Sequence, residues 1–202
     1  ANPIALYSGM WSSGIWLNTN VYWECNAACH YCYVRNARAS QRKQFGSTRG
    51  DYDGATRFSQ IITRAFSDKY NDHDPVQFAL RHRMPVMLSN NSDPFPSIEA
   101  CYGYTYQYLS AYADVGMPVL ILTKFPGWDV LDKDRYLTLL SDIDRLWIEV
   151  TLTSLDEEML AEWEPNAPSA KDRLEIIRTL TNAGIDVSIN VVPFIPEVAF
   201  KG

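Results

Sequence analysis

Short apolar runs alternate with longer amphipathic stretches along this chain, so strand and helix patterns follow one another from end to end. Five segments that are apolar, or rich in β-branched and aromatic residues, predict strands: 14–23, 84–90, 117–124, 145–154 and 185–195. Apolar residues spaced three or four apart predict helices in the segments between them: 56–66, 74–83, 97–116, 132–143 and 169–184.

Residues that favour helix ends support several of these limits. Pro75 stands in the first turn of the second predicted helix, where the N–H that it lacks has no intrahelical partner. Ser97 and Ser169 are the expected N-caps of two later helices, and Gly116 and Gly184 are expected to end them.

The alternation of strands and helices is typical of βαβ units, which bring parallel strands into one sheet. Such sheets place their ligand sites at the carboxyl ends of the strands. Candidate site residues stand at those positions here: Cys25, Ser92, Asp93, Lys124, Thr151, Thr153, Ser154 and 190–193. The sequence thus predicts an α/β fold with its functional site at the carboxyl edge of the sheet.

The composition fits one globular domain over residues 1–202, because 47% of the residues are hydrophobic and 21% are charged. No apolar run could span a bilayer, and residues 1–14 lack the pattern of a signal peptide, so we expect a cytoplasmic protein without membrane contact. The net charge of −6 argues against a large nucleic-acid interface and leaves nucleic-acid binding open. The basic strip 35–43 is either a solvated loop or a phosphate-contacting rim.

The stretch ECNAACHYCYVR, residues 24–35, holds three of the four cysteines at the spacing C-x3-C-x2-C. Clustered thiols in a chain without an export signal are metal ligands more often than disulfides. Structural zinc sites and ordinary iron–sulfur clusters take four protein ligands, and His30 adjoins Cys29, where its ring would point away from a shared metal. Three thiolates on one loop instead fit a [4Fe–4S] cluster with one iron open to a small molecule. A zinc site is the alternative.

The same spacing, with Tyr31 just before the last cysteine, resembles the signature of the radical S-adenosylmethionine (SAM) superfamily. The segment also resembles the spore photoproduct lyase-like branch of that superfamily, although Val21 and Glu24 depart from it. The matching residues are Asn20, Tyr22, Cys25, Cys29, Tyr31, Cys32, Tyr33 and Arg35. Three further stretches are similar to that branch: 92–99, 121–124 and 151–196. The resemblance covers residues 15–196, nearly the whole chain.

The resemblance implies a partial (β/α)6 TIM-like barrel of the radical SAM type, with a [4Fe–4S] cluster and SAM as cofactors. It implies that the cluster is held by Cys25, Cys29 and Cys32. It implies cofactor-binding roles for ten residues: Tyr31, Tyr33, Ser92, Asp93, Lys124, Thr151, Thr153, Ser154, Arg173 and Val192. It also implies a one-electron reductant, such as flavodoxin or ferredoxin, as a partner.

Some of these roles are specific. Ser92 and Asp93 would hold the amino group of SAM, although Asp-Pro also starts turns. Lys124 would pair with the SAM carboxylate, because the lysine ammonium is a compact positive charge. Arg173 would reach the same carboxylate or pair with Glu149, and its plain alternative is a weak surface ion pair.

Other roles have equally plain structural alternatives. Tyr31 would lie near the adenine or the cluster, or be an ordinary core aromatic. Hydroxyl groups in 151–154 would contact the ribose or the amino acid, although threonine is common in strands, and the backbone of 191–193 would lie against the adenine. Glu99 is expected to brace the loop after the second strand or to cap a helix. Cys101 is expected to be a buried helical residue, with hydrogen-atom donation or accessory ligation as alternatives.

Two features depart from spore photoproduct lyase itself. The position of its hydrogen-donating cysteine is Asn90 here, and the chain stops at Gly202, where the lyase continues into a DNA-engaging region. Together with the acidic charge, these features argue against repair of DNA photoproducts. Five strands are also one fewer than the barrel needs, so we expect strand 185–195 to be an edge covered by a further segment, a second chain or the tail 196–202.

The sequence therefore predicts a radical SAM enzyme that abstracts a hydrogen atom from an unidentified substrate. RNA, a peptide and a small metabolite are the alternative substrates. A non-catalytic zinc or iron–sulfur interaction module is the alternative from a different class. Lys124 and the pair Ser92 and Asp93 argue against that module, because a bare metal knuckle has no need of them.

Overall fold

A six-stranded sheet forms the centre of the computed structural model, which describes residues 4–6, 17–22, 25–34, 52–89 and 91–194. The strands follow chain order across the sheet: β1 (Ile4–Leu6), β2 (Leu17–Thr19), β3 (Val86–Leu88), β4 (Val119–Thr123), β5 (Leu146–Thr151) and β6 (Asp186–Asn190). β1 pairs antiparallel with β2, and β2 to β6 are parallel. The predicted α/β fold with a parallel sheet is confirmed.

Helices connect the strands, and seven lie within the described ranges: α1 (Tyr52–Ala65), α2 (Pro75–Arg81), α3 (Glu99–Tyr102), α4 (Tyr104–Asp114), α5 (Lys133–Ser141), α6 (Glu157–Trp163) and α7 (Ala170–Asn182). Asp74 caps α2 through two backbone N–H groups, and Asp132 caps α5. The predicted N-cap Ser169 is confirmed, and it forms a reciprocal capping box with Asp172. None of the helices in this part of the chain is long and apolar enough to cross a membrane.

Two elements are absent from the sequence-based prediction. β1 is a three-residue strand, and α6 is a seven-residue helix that begins after Asp156. Both are too short for an apolar periodicity to show in the sequence. β2 and β6 are shorter than the predicted strands 14–23 and 185–195, whose residues 14–16, 23 and 195 lie outside the described ranges.

The predicted helix 97–116 is divided in two by Gly103, which adopts a left-handed backbone with φ +61°. The predicted N-cap Ser97 is wrong, because Ile98 occupies the cap of α3 and makes no side-chain cap bond. The buried carboxylate of Glu99 instead accepts from the N–H groups of Thr105 and Tyr106, in the first turn of α4. Of the two expected roles of Glu99, helix capping is therefore the one that its backbone contacts show.

The two faces of the sheet differ in character. Leu17, Ile121 and Ile148 belong to the main hydrophobic core, into which α4 also packs. The intervening residues Leu122 and Trp147 lie outside that core, and Trp147 is 53% exposed. Because side chains alternate along a strand, one face is covered by helices and the other faces the interior that a barrel would enclose.

β6 pairs with β5, and within the described ranges no other strand pairs with β6. Its apolar residue Ile189 is 49% exposed, and Val192 just beyond it is 54% exposed. The structure thus leaves this strand at an edge, as the strand count predicts. The partial (β/α)6 barrel, the single domain over 1–202 and the covering of this edge stay predictions.

Candidate functional site

Loops that follow the parallel strands meet at the carboxyl edge of the sheet. Asn91 donates its backbone N–H to the Asn20 side chain over 3.0 Å, and Ser92 Oγ donates to the carbonyl of Tyr22 over 2.8 Å. These contacts fasten the loop after β3 onto the segment that leads from β2 to the cysteines. The segments that follow β2 and β3, which carry several of the predicted site residues, are therefore joined by hydrogen bonds at this edge of the sheet.

Asp93 joins this loop to the end of β4. Its Oδ1 accepts from Thr123 Oγ1 at 2.8 Å and from the Phe95 N–H at 3.0 Å, and its Oδ2 accepts from the Lys124 N–H at 2.7 Å. Asp93 thus has the structural role that its Asp-Pro context suggests. A contact with an amino group of SAM stays a prediction.

Cys25, Cys29 and Cys32 are all free thiols on one loop, where the Cys32 N–H donates to the Cys29 carbonyl over 3.2 Å. Cys29 is buried, Cys32 is partly buried and Cys25 is exposed. Desolvation, with a smaller contribution from the Asp93 carboxylate, raises the pKa of the Cys25 thiol to about 11. Burial also raises the pKa of Cys29, and the Lys124 ammonium acts in the opposite direction.

The chemistry of this donor set fits an iron–sulfur cluster, since three reduced thiols on one loop are the soft ligands that iron–sulfur clusters take. In the described ranges, no three His, Cys, Asp or Glu side chains are gathered closely enough to hold a metal ion. The convergence of the three cysteines on one site therefore stays a prediction. Cys101 is exposed on α3, so the expectation that it is a buried core residue is wrong.

The segment 163–166, at the end of α6, is hydrogen-bonded to the three-cysteine loop on both sides of Cys29. The His30 N–H donates to the Trp163 carbonyl over 2.9 Å. Asn166 donates its N–H to the Ala27 carbonyl and its side-chain amide to the Asn26 carbonyl, over 3.3 and 3.0 Å. A helix that the sequence pattern does not predict therefore braces the loop that carries the predicted cluster ligands.

Glu164, in the same segment, is 1% exposed and lies at the centre of a polar cluster. Its Oε1 accepts from the Tyr31 hydroxyl and, at 2.9 Å, from Thr153 Oγ1. Its Oε2 accepts from Arg173 Nη2 at 2.5 Å. Lys124 Nζ lies 4.0 Å from Oε1 and 5.5 Å from the centre of the Tyr31 ring. Four of the predicted cofactor-binding residues thus surround one carboxylate.

The environment of this cluster raises the pKa of Tyr31 well above its usual range. Burial is the main cause, and the hydrogen bond to Glu164 adds to it, because an ionised phenol beside a carboxylate is unfavourable. The Tyr31 phenol is therefore a neutral donor at physiological pH. It holds the Glu164 oxygen beside Lys124 and Cys29 without contributing a charge of its own.

Arg173 is fully buried, contrary to the surface ion pair that is the plain alternative for a helical arginine. Besides Glu164, its guanidinium donates to the carbonyls of Pro168 and Thr151, over 2.9 and 3.0 Å. Pairing with Glu149 is wrong, since Glu149 instead accepts from the Asn190 side-chain amide at 3.4 Å. Burial raises the pKa of Glu149.

The remaining predicted site residues lie around this cluster or away from it. Thr151 contributes its carbonyl to Arg173, and Ser154 Oγ accepts from the Asp156 N–H at 3.0 Å. Tyr33 is 65% exposed, and Val192, 54% exposed, precedes a cis Val192–Pro193 peptide bond. Contacts of these residues with a cofactor stay predictions. Asn90, the basic strip 35–43 and the tail 196–202 lie outside the described ranges.

A cavity of about 530 Å³ opens beside the three-cysteine loop. It lies between Asn26, Asp93, the residues 124–130 that follow β4, and the first turns of α7. Phe95, within this boundary, gives part of its lining an apolar character. A cavity of this size at the carboxyl edge of a parallel sheet has the volume of a small-molecule site.

Glu164 is the main functional candidate that reasoning from single positions misses. It belongs to the Glu-Pro pair at 164–165, inside the stretch 151–196 that resembles the spore photoproduct lyase-like branch. That pair is the feature of the sequence that could have pointed to Glu164. Its partner Tyr31 lies 133 positions away, so no local pattern could show that the two side chains meet.

Known proteins share part of this sequence and of this fold. No family model matches the chain. An uncharacterized protein of Mycobacterium tuberculosis is 27% identical over 187 residues, which are 91% of this chain and 51% of that protein. A protein of Pseudomonas phage M6 with the name radical SAM Nalpha-GlyT isomerase is 26% identical over 181 residues, which are 86% of this chain and 32% of the phage protein.

Among solved structures, spore photoproduct lyase in complex with a dinucleoside spore photoproduct matches with a TM-score of 0.60 and 15% identity, over 95% of this chain and 49% of the lyase. A mutant of spore photoproduct lyase with bound AdoMet matches with a TM-score of 0.59. The chain spans about half the length of the Mycobacterium tuberculosis relative and of the lyase. The chain thus shares its fold with part of spore photoproduct lyase, and one relative in sequence has a radical SAM name, which together confirm the resemblance to the radical SAM superfamily.

Proposed function

We propose that this chain is the core of a radical SAM enzyme, in which Cys25, Cys29 and Cys32 hold a [4Fe–4S] cluster. The observation that carries the proposal is one loop with three free thiols, of which Cys29 lies next to a buried site that contains Lys124 and Glu164. When bound, the cluster and SAM supply a 5′-deoxyadenosyl radical that can abstract a hydrogen atom from a substrate. The protein supplies ligands, charge and orientation.

The thiols must lose their protons to act as ligands, and burial works against this loss in the protein without metal. The ammonium of Lys124 favours the thiolate of Cys29, which lowers the cost of ligation. Tyr31 and segment 163–166 anchor the loop that carries the cysteines by hydrogen bonds, which limits the rearrangement that cluster binding would need.

The charges of the site match a carboxylate-bearing cofactor. The side chains of Lys124, Glu164 and Arg173 are at most 15% exposed, and together they carry two positive charges and one negative charge. A buried charge without a partner is unfavourable. The carboxylate of SAM would offset the surplus, and Lys124, whose ammonium acts on Cys29, is the cation that we propose to meet it.

Replacing Lys124 with alanine is expected to weaken SAM binding by roughly 10- to 100-fold, because a charge-assisted contact contributes on the order of 1.5–3 kcal/mol. Isothermal titration of cluster-loaded protein measures the change, and iron content shows that the cluster is intact. Lys133→Ala is the matched control, since Lys133 is exposed at the start of α5. Equal affinities for Lys124→Ala and the wild type would remove Lys124 from the SAM site.

The relatives suggest a reaction class but no single substrate. Spore photoproduct lyase binds a dinucleoside spore photoproduct, and the phage relative is named an isomerase. We propose a lyase-like or isomerase-like reaction that begins with hydrogen abstraction from RNA, a peptide or a small metabolite. Repair of DNA photoproducts is not proposed, because the chain carries a net charge of −6 and has Asn90 where the lyase has its hydrogen-donating cysteine.

The proposal requires partners. Reductive cleavage of SAM needs one electron, so we propose a small reductant protein such as flavodoxin or ferredoxin, in the cytoplasm. β6 has an unpaired edge in the described part of the chain, and its neighbours Val191 and Val192 are about half exposed. We propose that a further segment or a second chain pairs with this edge and extends the barrel.

Anaerobic reconstitution with iron and sulfide tests the class of metal site. The expected product is a brown protein with broad absorption in the blue, as a [4Fe–4S] cluster gives, and with roughly four irons per chain. A colourless protein that retains zinc in preference to iron would favour the interaction module instead.

A further inference from the structure

Among the described residues, two cations and one carboxylate share the buried site next to Cys29. The side chains of Glu164 and Arg173 are fully buried, and that of Lys124 is 15% exposed. Only one of the two cations can be neutralised by Glu164. Which cation it neutralises decides which one remains available to an anionic ligand.

Arg173 is the cation that pairs with Glu164. Its Nη2 lies 2.5 Å from Glu164 Oε2, and its Nε and Nη1 donate to the carbonyls of Pro168 and Thr151. All three of its nitrogen atoms are thus engaged, in a side chain without solvent access. An arginine fork held at three points has little freedom to turn toward a ligand.

Lys124 is held differently. Its Nζ is 4.0 Å from Glu164 Oε1, which is beyond hydrogen-bond distance. That oxygen already accepts from Tyr31 and Thr153. The ammonium is therefore attracted by the Glu164 charge but is not fixed by a hydrogen bond to it. Its flexible four-carbon side chain allows it to change position.

We propose that Glu164 is a positioning residue of the cofactor site, which fixes Arg173 in the core and leaves Lys124, of the two cations that the described residues contribute to this site, to meet the SAM carboxylate. The inference rests on the proposed function and deepens it. Glu164 and the SAM carboxylate compete for the same ammonium. Glu164 thereby limits how tightly the carboxylate of SAM, and that of the product methionine, is held.

The test compares SAM with decarboxylated SAM, bound to anaerobically reconstituted protein whose cluster is kept oxidised so that SAM is not cleaved. The ratio of the two dissociation constants, measured by isothermal titration, isolates the contribution of the carboxylate. In Glu164→Gln, the dissociation constant of decarboxylated SAM divided by that of SAM is expected to rise roughly tenfold. The variant removes a negative charge about 4 Å from the ammonium, which strengthens the contact between the ammonium and the SAM carboxylate. A purely structural role would change both affinities equally and leave the ratio unchanged.

Two further variants keep the test decisive. In Glu164→Gln combined with Lys124→Met, the rise is expected to vanish, because the ammonium on which it depends is gone. Glu164→Gln combined with Arg173→Met keeps the net charge of the three-residue set and serves if the single variant does not fold; the ratio is again expected to rise. SAM binding with an unchanged or lower ratio in the folded variants overturns the inference alone. Wild-type protein that is loaded with cluster and binds neither ligand overturns the proposed function as well.

Discussion

Replacing Arg173 with methionine is expected to lower the free energy of unfolding by about 3–5 kcal/mol, because it leaves the buried carboxylate of Glu164 without its partner. The carbonyls of Pro168 and Thr151 lose their donors in the same change. Urea unfolding followed by circular dichroism measures the effect. Much of this loss reports the unpaired Glu164 charge, so Glu164→Gln in the Arg173→Met background is expected to recover part of it.

Arg178→Met is the matched control, since Arg178 lies on the same helix but is exposed. Its effect is expected to stay within about 0.5 kcal/mol, as for most surface substitutions. Equal losses for the two variants would show that Arg173 contributes through helix formation and not through its pair with Glu164. The structural account of the site would then lack its central ion pair.

Replacing Cys29 with alanine is expected to abolish stable loading of the cluster. Cys29 is the buried member of the three thiols, and it adjoins both the Lys124 ammonium and the Tyr31 hydroxyl. Loss of a direct ligand exceeds the roughly 10- to 100-fold loss of metal affinity that removal of an outer-shell partner causes. Iron and sulfide analysis after anaerobic reconstitution and gel filtration measures the retained cluster.

Cys101→Ala is the control for this experiment, because Cys101 is exposed on α3 and lies outside the three-cysteine loop. It is expected to retain the iron and sulfide content of the wild type. Comparable cluster content in Cys29→Ala and the wild type would mean that the three-cysteine loop is not the cluster site. Loss of cluster in Cys101→Ala would make the fourth cysteine a ligand.

The parallel sheet could be predicted because buried strands carry their own signal. Apolar runs such as MPVLILTK, at 117–124, are bounded by turn residues and are short enough to indicate strands. β4 (Val119–Thr123) lies inside that run. Parallel sheets carry their ligand sites at the carboxyl ends of the strands, so the parallel arrangement alone predicted where the candidate residues would lie.

The polar cluster could not be predicted in the same way, because its contacts depend on distant parts of the chain. Glu164 stands at the end of a helix that is too short to show an apolar periodicity. The hydroxyl groups of Tyr31 and Thr153, from which it accepts hydrogen bonds, come from separate loops. Arg173 looks like a surface residue when helix propensity alone is considered. Its burial becomes evident only when the carbonyls of Pro168 and Thr151 are placed beside it.

Formation of 5′-deoxyadenosine tests the central proposal most directly. Cluster-loaded protein is reduced with dithionite under anaerobic conditions in the presence of SAM, and the products are separated by chromatography. The account predicts equal amounts of 5′-deoxyadenosine and methionine from the wild type, and none from protein in which Cys29 is replaced by alanine. Intact SAM, recovered from wild-type protein with a fully loaded and reduced cluster, would contradict the assignment of this chain as a radical SAM enzyme.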